Sequence, residues 1–200
     1  MNASDEARRV LSRYFGYPSF RPAQEPVVAS LLAGRDTVAV MPTGAGKSIC
    51  FQVPALLLNG VTVVISPLIS LMKDQVDALL GQGIPATFIN SSLDPAEADR
   101  RIDALIRGES RLVYVAPERL ENGWFQSQLN HIPIAMVAVD EAHCLSQWGH
   151  DFRPSYRQIF PFIRTLARRP IVSAFTATAT PEVRDDIIHL LELHSPAVYV

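Results

Sequence analysis

Two hundred residues with 48% hydrophobic and 19% charged content suit one α/β domain with a well-buried core and exclude a disordered chain. A formal net charge of −2 excludes a bulk basic field, so any nucleic-acid contact must rest on local groups and stacking. No apolar run is long enough to span a bilayer, and polar residues 1–9 carry no apolar signal core; the expectation is a soluble intracellular chain without membrane association.

Apolar, β-branched runs recur at 37–40, 61–65, 86–89, 112–115, 134–139, 171–175 and 197–200, with helical stretches between most of them. That alternation predicts βαβ units: a largely parallel central sheet with helices on both faces. Helices are predicted over 22–32, with Gly34 just beyond; from the loop after 40 through 57; over 68–80, ended by Gly81; and over 95–106, with Asp94 as cap. The last, 181–193, has Thr180 as cap and Glu182 in its first turn, where negative charge suits the helix dipole. With no internal repeat, low-complexity stretch or long linker, residues 1–200 read as a single domain.

The strand at 37–40 runs into Met41-Pro-Thr-Gly-Ala-Gly-Lys-Ser48 and then a helix, the context of a phosphate-binding loop. Thr43, Gly44, Ala45 and Gly46 form the loop, whose glycines let backbone N–H groups curl around anionic oxygens. Lys47 can reach the β and γ phosphates, and Ser48 can ligate Mg²⁺. The strict pattern has Gly where Met41 stands. A hundred residues on, the strand at 134–139 delivers Asp140 and Glu141 at its carboxyl end, where open α/β sheets bind ligands. Asp140 suits Mg²⁺ and Glu141 the orientation of a water. Gln24 offers a carboxamide that donates and accepts together, matching the adenine edge and favouring ATP.

Asp140 leads directly into Trp148, Phe152, Arg153 and Tyr156. Two π faces and a guanidinium suit unpaired bases and phosphate, the competing reading being a buried hydrophobic loop; Gly149, His150, Asp151 and Pro154 prevent a strand or helix here. His143 either couples this loop to the γ-phosphate site or is satisfied by backbone groups. Ser66, Ser70, Lys73, Arg119, Thr176 and Thr178 follow successive strands as backbone-phosphate or interlobe contacts, although Ser66 and Ser70 serve equally as helix caps. Cys50 and Cys144 read as free thiols. His143, Cys144 and His150 lack CxxC or HExxH spacing, so structural zinc is not expected.

This order of motifs resembles the RecQ family of superfamily 2 DNA helicases from Phe15 to Thr180. FGYPSFRPAQ at 15–24 is similar to its adenine-recognition segment, 41–48 to its first helicase motif, and SPLISLMKDQ at 66–75 to its strand-contacting motif. APERL at 116–120 is similar to a further DNA-side motif, and FTATAT at 175–180 to the motif linking hydrolysis to movement. The discriminating stretch is DEAHCLSQWGHDFRP at 140–154, whose second half resembles the family's aromatic-rich loop.

The resemblance implies a RecA-like fold and the N-terminal motor lobe of an enzyme that uses ATP and Mg²⁺. It also implies 3′-to-5′ translocation on single-stranded DNA, unwinding of partly duplex DNA, and work in repair and recombination in the nucleoid or nucleus. Tyr17 and Arg21 would flank the adenine by stacking, against the alternative that Tyr17 and Phe20 are core and Arg21 is solvated. A second RecA-like lobe with an arginine finger, and zinc-binding and winged-helix regions, are expected outside these residues. The alternatives are an RNA helicase or remodelling translocase of the same superfamily, and a non-catalytic nucleic-acid-binding fragment; the 148–153 loop favours the DNA branch.

Overall fold

In the computed structural model, which describes residues 2–200, seven strands form one sheet in the order β3-β4-β2-β5-β6-β1-β7. They are β1 (Thr37–Val40), β2 (Val61–Ile65), β3 (Ala86–Ile89), β4 (Leu112–Val115), β5 (Ile134–Val139), β6 (Ile171–Thr176) and β7 (Ala197–Tyr199). Every pairing is parallel. Both faces must therefore be covered, and the strands show it by being buried on both sides.

Side chains alternate between two cores, as a period of two requires. Val63 and Ile65 of β2, Val113 and Val115 of β4, and Val137 and Val139 of β5 enter one core. It is covered by α5 (Pro95–Ile106), α6 (Gly123–Leu129), α7 (Ile159–Thr165) and α8 (Pro181–Leu190). Val64, Tyr114, Met136 and Ala138 enter the other, covered by α2 (Glu25–Leu32), α3 (Lys47–Leu57) and α4 (Ile69–Gly81). Outside that layer, α1 (Ala3–Phe15) lays Ala7 and Leu11 against Phe20, Val28 and Val53.

The predicted strands and the helix over 95–106 are present, the latter capped by Asp94 accepting the Glu97 amide at 2.9 Å. Helix α4 starts and ends one residue later than expected and takes in Gly81, and two other helix ends differ by more. Residues 22–24 form a turn closed by the Gln24 amide on the Arg21 carbonyl, so α2 starts at Glu25. Helix α8 stops at Leu190 because the chain turns at Glu192, whose φ is 45°. Three helices have no counterpart in the sequence reading. In α1 only Ala7 and Leu11 are buried among polar neighbours, and α6 and α7 span 7 residues each, too few to establish a period.

The amino edge of the sheet is closed by Asp36, 3% exposed. Its Oδ1 accepts the Val172 amide at 2.9 Å and Arg169 Nη1 at 3.1 Å; its Oδ2 accepts the His194 amide at 2.8 Å and Arg169 Nη2 at 2.6 Å. Its carbonyl accepts the Ala197 amide, so one residue ties β1 to β6 and β7. Removing one partner of a buried, fully bonded ion pair strands the rest. Asp36→Ala should lower stability by roughly 3–5 kcal/mol in urea denaturation, and Arg169→Ala by less, since the two amide donors still meet a carboxylate.

Candidate nucleotide site and adjoining aromatic loop

At the carboxyl edge, β1 releases the chain into residues 41–46, and Lys47 opens α3. Met41 explains its departure from the glycine pattern: its side chain is 2% exposed, packs in the core of this face and lies 3.8 Å from Cys50 Sγ. The left-handed conformations fall at Gly44 and Gly46, each with φ 81°, and turn the loop back onto the helix N-terminus. Thr43 is exposed, while Ala45, Lys47 and Ser48 are half-buried.

Gln24 is buried against this loop. Its Nε2 donates to the carbonyls of Ala45 at 3.2 Å and Gly46 at 3.1 Å, and its Oε1 accepts the Arg21 amide at 2.9 Å. A Cβ on residue 46 would overlap Nε2, so the glycine is needed for this approach as well as for its φ. Arg21, largely exposed, donates through Nη1 to the Gly44 carbonyl rather than standing free in solvent. Tyr17 is 53% exposed, whereas Phe20 belongs to the core.

Two strands away, the Asp140 amide donates to the Ile65 carbonyl at 2.8 Å and the Tyr156 hydroxyl to the Asp140 carbonyl at 2.8 Å. Asp140 Oδ1 accepts only the Glu141 amide, at 3.0 Å. Burial, and then the Glu141 charge, push the Asp140 carboxyl up to about 6, against the opposing pull of that amide and the Lys47 ammonium. Glu141 takes φ 48°, a left-handed conformation rare for a side-chain-bearing residue and common at functional sites. His143 Nδ1 lies 2.9 Å from Thr176 Oγ1 and 3.3 Å from Glu141 Oε2. Burial, and then His150, hold its imidazole below the ordinary histidine range despite Glu141.

A 3₁₀ turn, Ala142–Leu145, leads into the aromatic loop, which folds back on that turn. The Arg153 amide donates to the Cys144 carbonyl at 2.9 Å, and Gly149 lies so close to the His143 carbonyl that a Cβ would overlap it. Ser146 Oγ bonds Asp186 of α8 at 2.6 Å. Trp148 is 79% exposed, so the buried-loop alternative fails at that residue. Phe152 is half-buried under the Arg157 guanidinium, 5.3 Å from its ring centroid. Arg153 is paired with Asp151 through Nε at 3.1 Å and Nη2 at 2.9 Å. Tyr156 is core.

Two of the residues expected as backbone-phosphate or interlobe contacts are buried in this state. Thr176 is fully buried and spends its hydroxyl on His143 and the Thr178 carbonyl; Ser66 is 2% exposed and accepts the Leu68 amide at 3.4 Å, ahead of α4. Lys73 is exposed beside Asp77, Thr178 is exposed, and half-buried Arg119 stands 5.7 Å from the Phe125 ring. Reading the sequence missed the Gln24–Gly46 contact, the Arg21 bond to Gly44 and the His143–Thr176 link. All join segments far apart in the chain, and no local spacing signals them.

The DEAD/DEAH box helicase profile matches residues 21–187, and the chain belongs to that family. Within it, the chain is 52% identical over 94% of its length to ATP-dependent DNA helicase RecQ of Bacillus subtilis, and 49% identical over 96% to that of Pasteurella multocida. It is 44% identical over 96% to ATP-dependent DNA helicase Q5 of Mus musculus. The chain spans between about a fifth and a third of these relatives, at 32%, 30% and 21% of their lengths. Among solved structures, the helicase MrfA bound to DNA matches with TM-score 0.77 at 18% identity, over 99% of this chain and 30% of that one. A hypothetical ATP-dependent RNA helicase from Sulfolobus tokodaii matches with TM-score 0.71 at 20% identity, over 99% of this chain and 57% of that one. These likenesses establish the RecA-like helicase fold. Among the described residues no helix is long and apolar enough to cross a membrane.

A carboxyl raised from 3.8 to about 6 binds its proton more tightly in the folded state, so its contribution to stability is greatest below pH 3.8 and falls as pH rises through about 6. Asp140→Asn should therefore raise stability at neutral pH by about 1–3 kcal/mol, read as a higher denaturation midpoint, and flatten this part of the pH profile. A lower midpoint would show that the ionised carboxyl is compensated.

Proposed function

We propose that this chain is the N-terminal motor lobe of a RecQ-type DNA helicase, in which ATP hydrolysis at residues 41–48 and 140–143 drives translocation on single-stranded DNA and duplex unwinding. Carrying the reading is the physical continuity of the two sites: Glu141 and Thr176 both face His143 Nδ1, and the aromatic loop closes on the backbone of His143 and Cys144. RecQ-named relatives at 49–52% identity favour the DNA branch over an RNA helicase.

The residues fit a magnesium nucleotide. A desolvated carboxyl with one amide partner, beside Lys47 and across from the loop's helix N-terminus, is what a divalent cation compensates. Mg²⁺ supplies charge neutralisation at the phosphates when bound, and Ser48 and Asp140 would hold it. Lys47 neutralises the β and γ oxygens, the loop amides cradle them, and Glu141 orients the attacking water. His143, whose Nδ1 faces both Glu141 and Thr176, links the position of one to the other. A second lobe with an arginine finger, supplied by the longer protein, would complete the site; Lys73, Arg119 and Thr178 remain candidate contacts to the DNA backbone or that lobe. Work on chromosomal DNA, in repair and recombination, places the protein inside the cell.

Gln24 reads the base with what the loop leaves it. Both Nε2 protons are spent on carbonyls and one Oε1 lone pair on Arg21, so a single acceptor remains. Adenine offers an amino donor where guanine has a carbonyl, which makes the residual group selective for ATP. Tyr17 and Arg21, both exposed at the mouth, are the stacking pair. Gln24→Ala should bring ATP and GTP affinities closer together, as seen in competition binding; an unchanged ratio would remove Gln24 from base reading.

Trp148 presents an open ring, and with Phe152 it provides the stacking surface for unpaired bases. In the full-length protein, Trp148→Ala should raise the single-stranded DNA concentration needed for half-maximal ATPase stimulation by about five-fold to a hundred-fold, from a stacking loss of roughly 1–3 kcal/mol per base. The titration compares parent and variant, with circular dichroism checking the fold. Superimposable curves would make the loop packing alone.

A further inference from the structure

We propose that His143, Cys144 and Asp151 form a binding site for a thiophilic divalent transition-metal ion of the zinc class, which would pin the aromatic loop to the acidic box. The cluster is a product of the fold. The loop returns at residue 151 because Gly149 packs on the His143 carbonyl and the Arg153 amide reaches the Cys144 carbonyl. Cys144 Sγ lies 3.8 Å from His143 Nε2 and 3.8 Å from Asp151 Oδ2, and the three ligand atoms are within 4.8 Å of one another.

Bond lengths of about 2.0–2.1 Å for nitrogen and 2.3 Å for sulfur set tetrahedral edges of about 3.6 Å. Two edges are therefore already near their bonded length, and the third closes by movement of an exposed aspartate side chain. Imidazole, thiolate and carboxylate together favour zinc over magnesium or calcium, which take all-oxygen shells.

The outer partners agree. A ligating histidine usually gives its second nitrogen to a carboxylate or another fixed acceptor, and His143 Nδ1 faces Thr176 Oγ1 and Glu141 Oε2 while Nε2 faces the sulfur. Cys144 is fully buried and His143 is 6% exposed, so both first ligands are pre-placed. His150 stacks on His143 with centroids 4.2 Å apart and lies outside the cluster; water fills the fourth position. Binding forms the Sγ–metal bond as the thiol proton leaves to solvent, and it draws Asp151 from its pair with Arg153. The site stands on this geometry whether or not the loop contacts DNA.

The test uses Co²⁺ as the probe on the 200-residue chain, in a non-thiol reductant. One equivalent should give a sulfur-to-cobalt charge-transfer band, bleached by Zn²⁺. Cys144→Ser should abolish the band and Cys50→Ser should retain it. Asp151→Asn, at an exposed position that spares the fold, should weaken cobalt binding at least ten-fold. No band, a band that survives Cys144→Ser, or unchanged affinity in Asp151→Asn would overturn the site.

Discussion

Because all seven strands run parallel under helices on both faces, charged groups can collect only at the ends of the strands. The two ends are used differently. At the amino edge, the Asp36 carboxylate meets four donors and leaves no acceptor open. At the carboxyl edge, Asp140 sits at the end of β5 with one amide for company, and Lys47 and Glu141 stand nearby without closing an ion pair on it. One end holds the sheet together; the other keeps its charges uncompensated and open to a ligand.

That contrast explains why the nucleotide site costs stability. A carboxyl pushed up to about 6 is one the empty fold resists ionising, and Glu141 adds a left-handed backbone next to it. The desolvated carboxyl is what a cation would compensate, while the left-handed backbone is a fixed cost. The core around them carries the burden: β5 is buried from Met136 to Val139, and Tyr156 clamps the Asp140 carbonyl from the aromatic loop. Preorganisation here is charge held in place before the ligand arrives.

Much of this edge was legible in the sequence. Strands announce themselves by β-branched runs, and strand-to-loop junctions at 40 and 139 place Lys47 and Asp140 once the sheet is known to be parallel. Asp94 and Thr180 are caps whose signals are local, and they are caps in the fold. What the sequence hid is long-range. Thr176 reads as an exposed hydroxyl after a strand, but the sheet buries it under His143. Ser66 is buried and accepts the Leu68 amide just ahead of α4, which no side chain caps. Gln24 has the chemistry of a base reader, yet only the approach of Gly46 shows that most of that chemistry is spent on the loop. Cys144 and Asp151 sit seven apart at no metal spacing, and only the return of the loop brings them together.

The aromatic loop is built to move cheaply. Arg153 is satisfied within the loop by Asp151, Ser146 at the loop's base is held by Asp186 of α8, and Phe152 lies under Arg157. Exchanging the exposed Arg153–Asp151 pair for a phosphate forfeits about 0–1 kcal/mol, and Trp148 breaks no contact of its ring to meet a base. A bound strand therefore needs only a modest preference for one loop position to shift the population. The Cys144 and His143 carbonyls that anchor the loop are three or fewer residues from Glu141, so any such shift is felt where water must be oriented. A more tightly bonded loop, as it would be with a metal on His143, Cys144 and Asp151, would hold its place whether or not DNA were present, so it is the metal-free loop that can report to the proposed catalytic carboxylates.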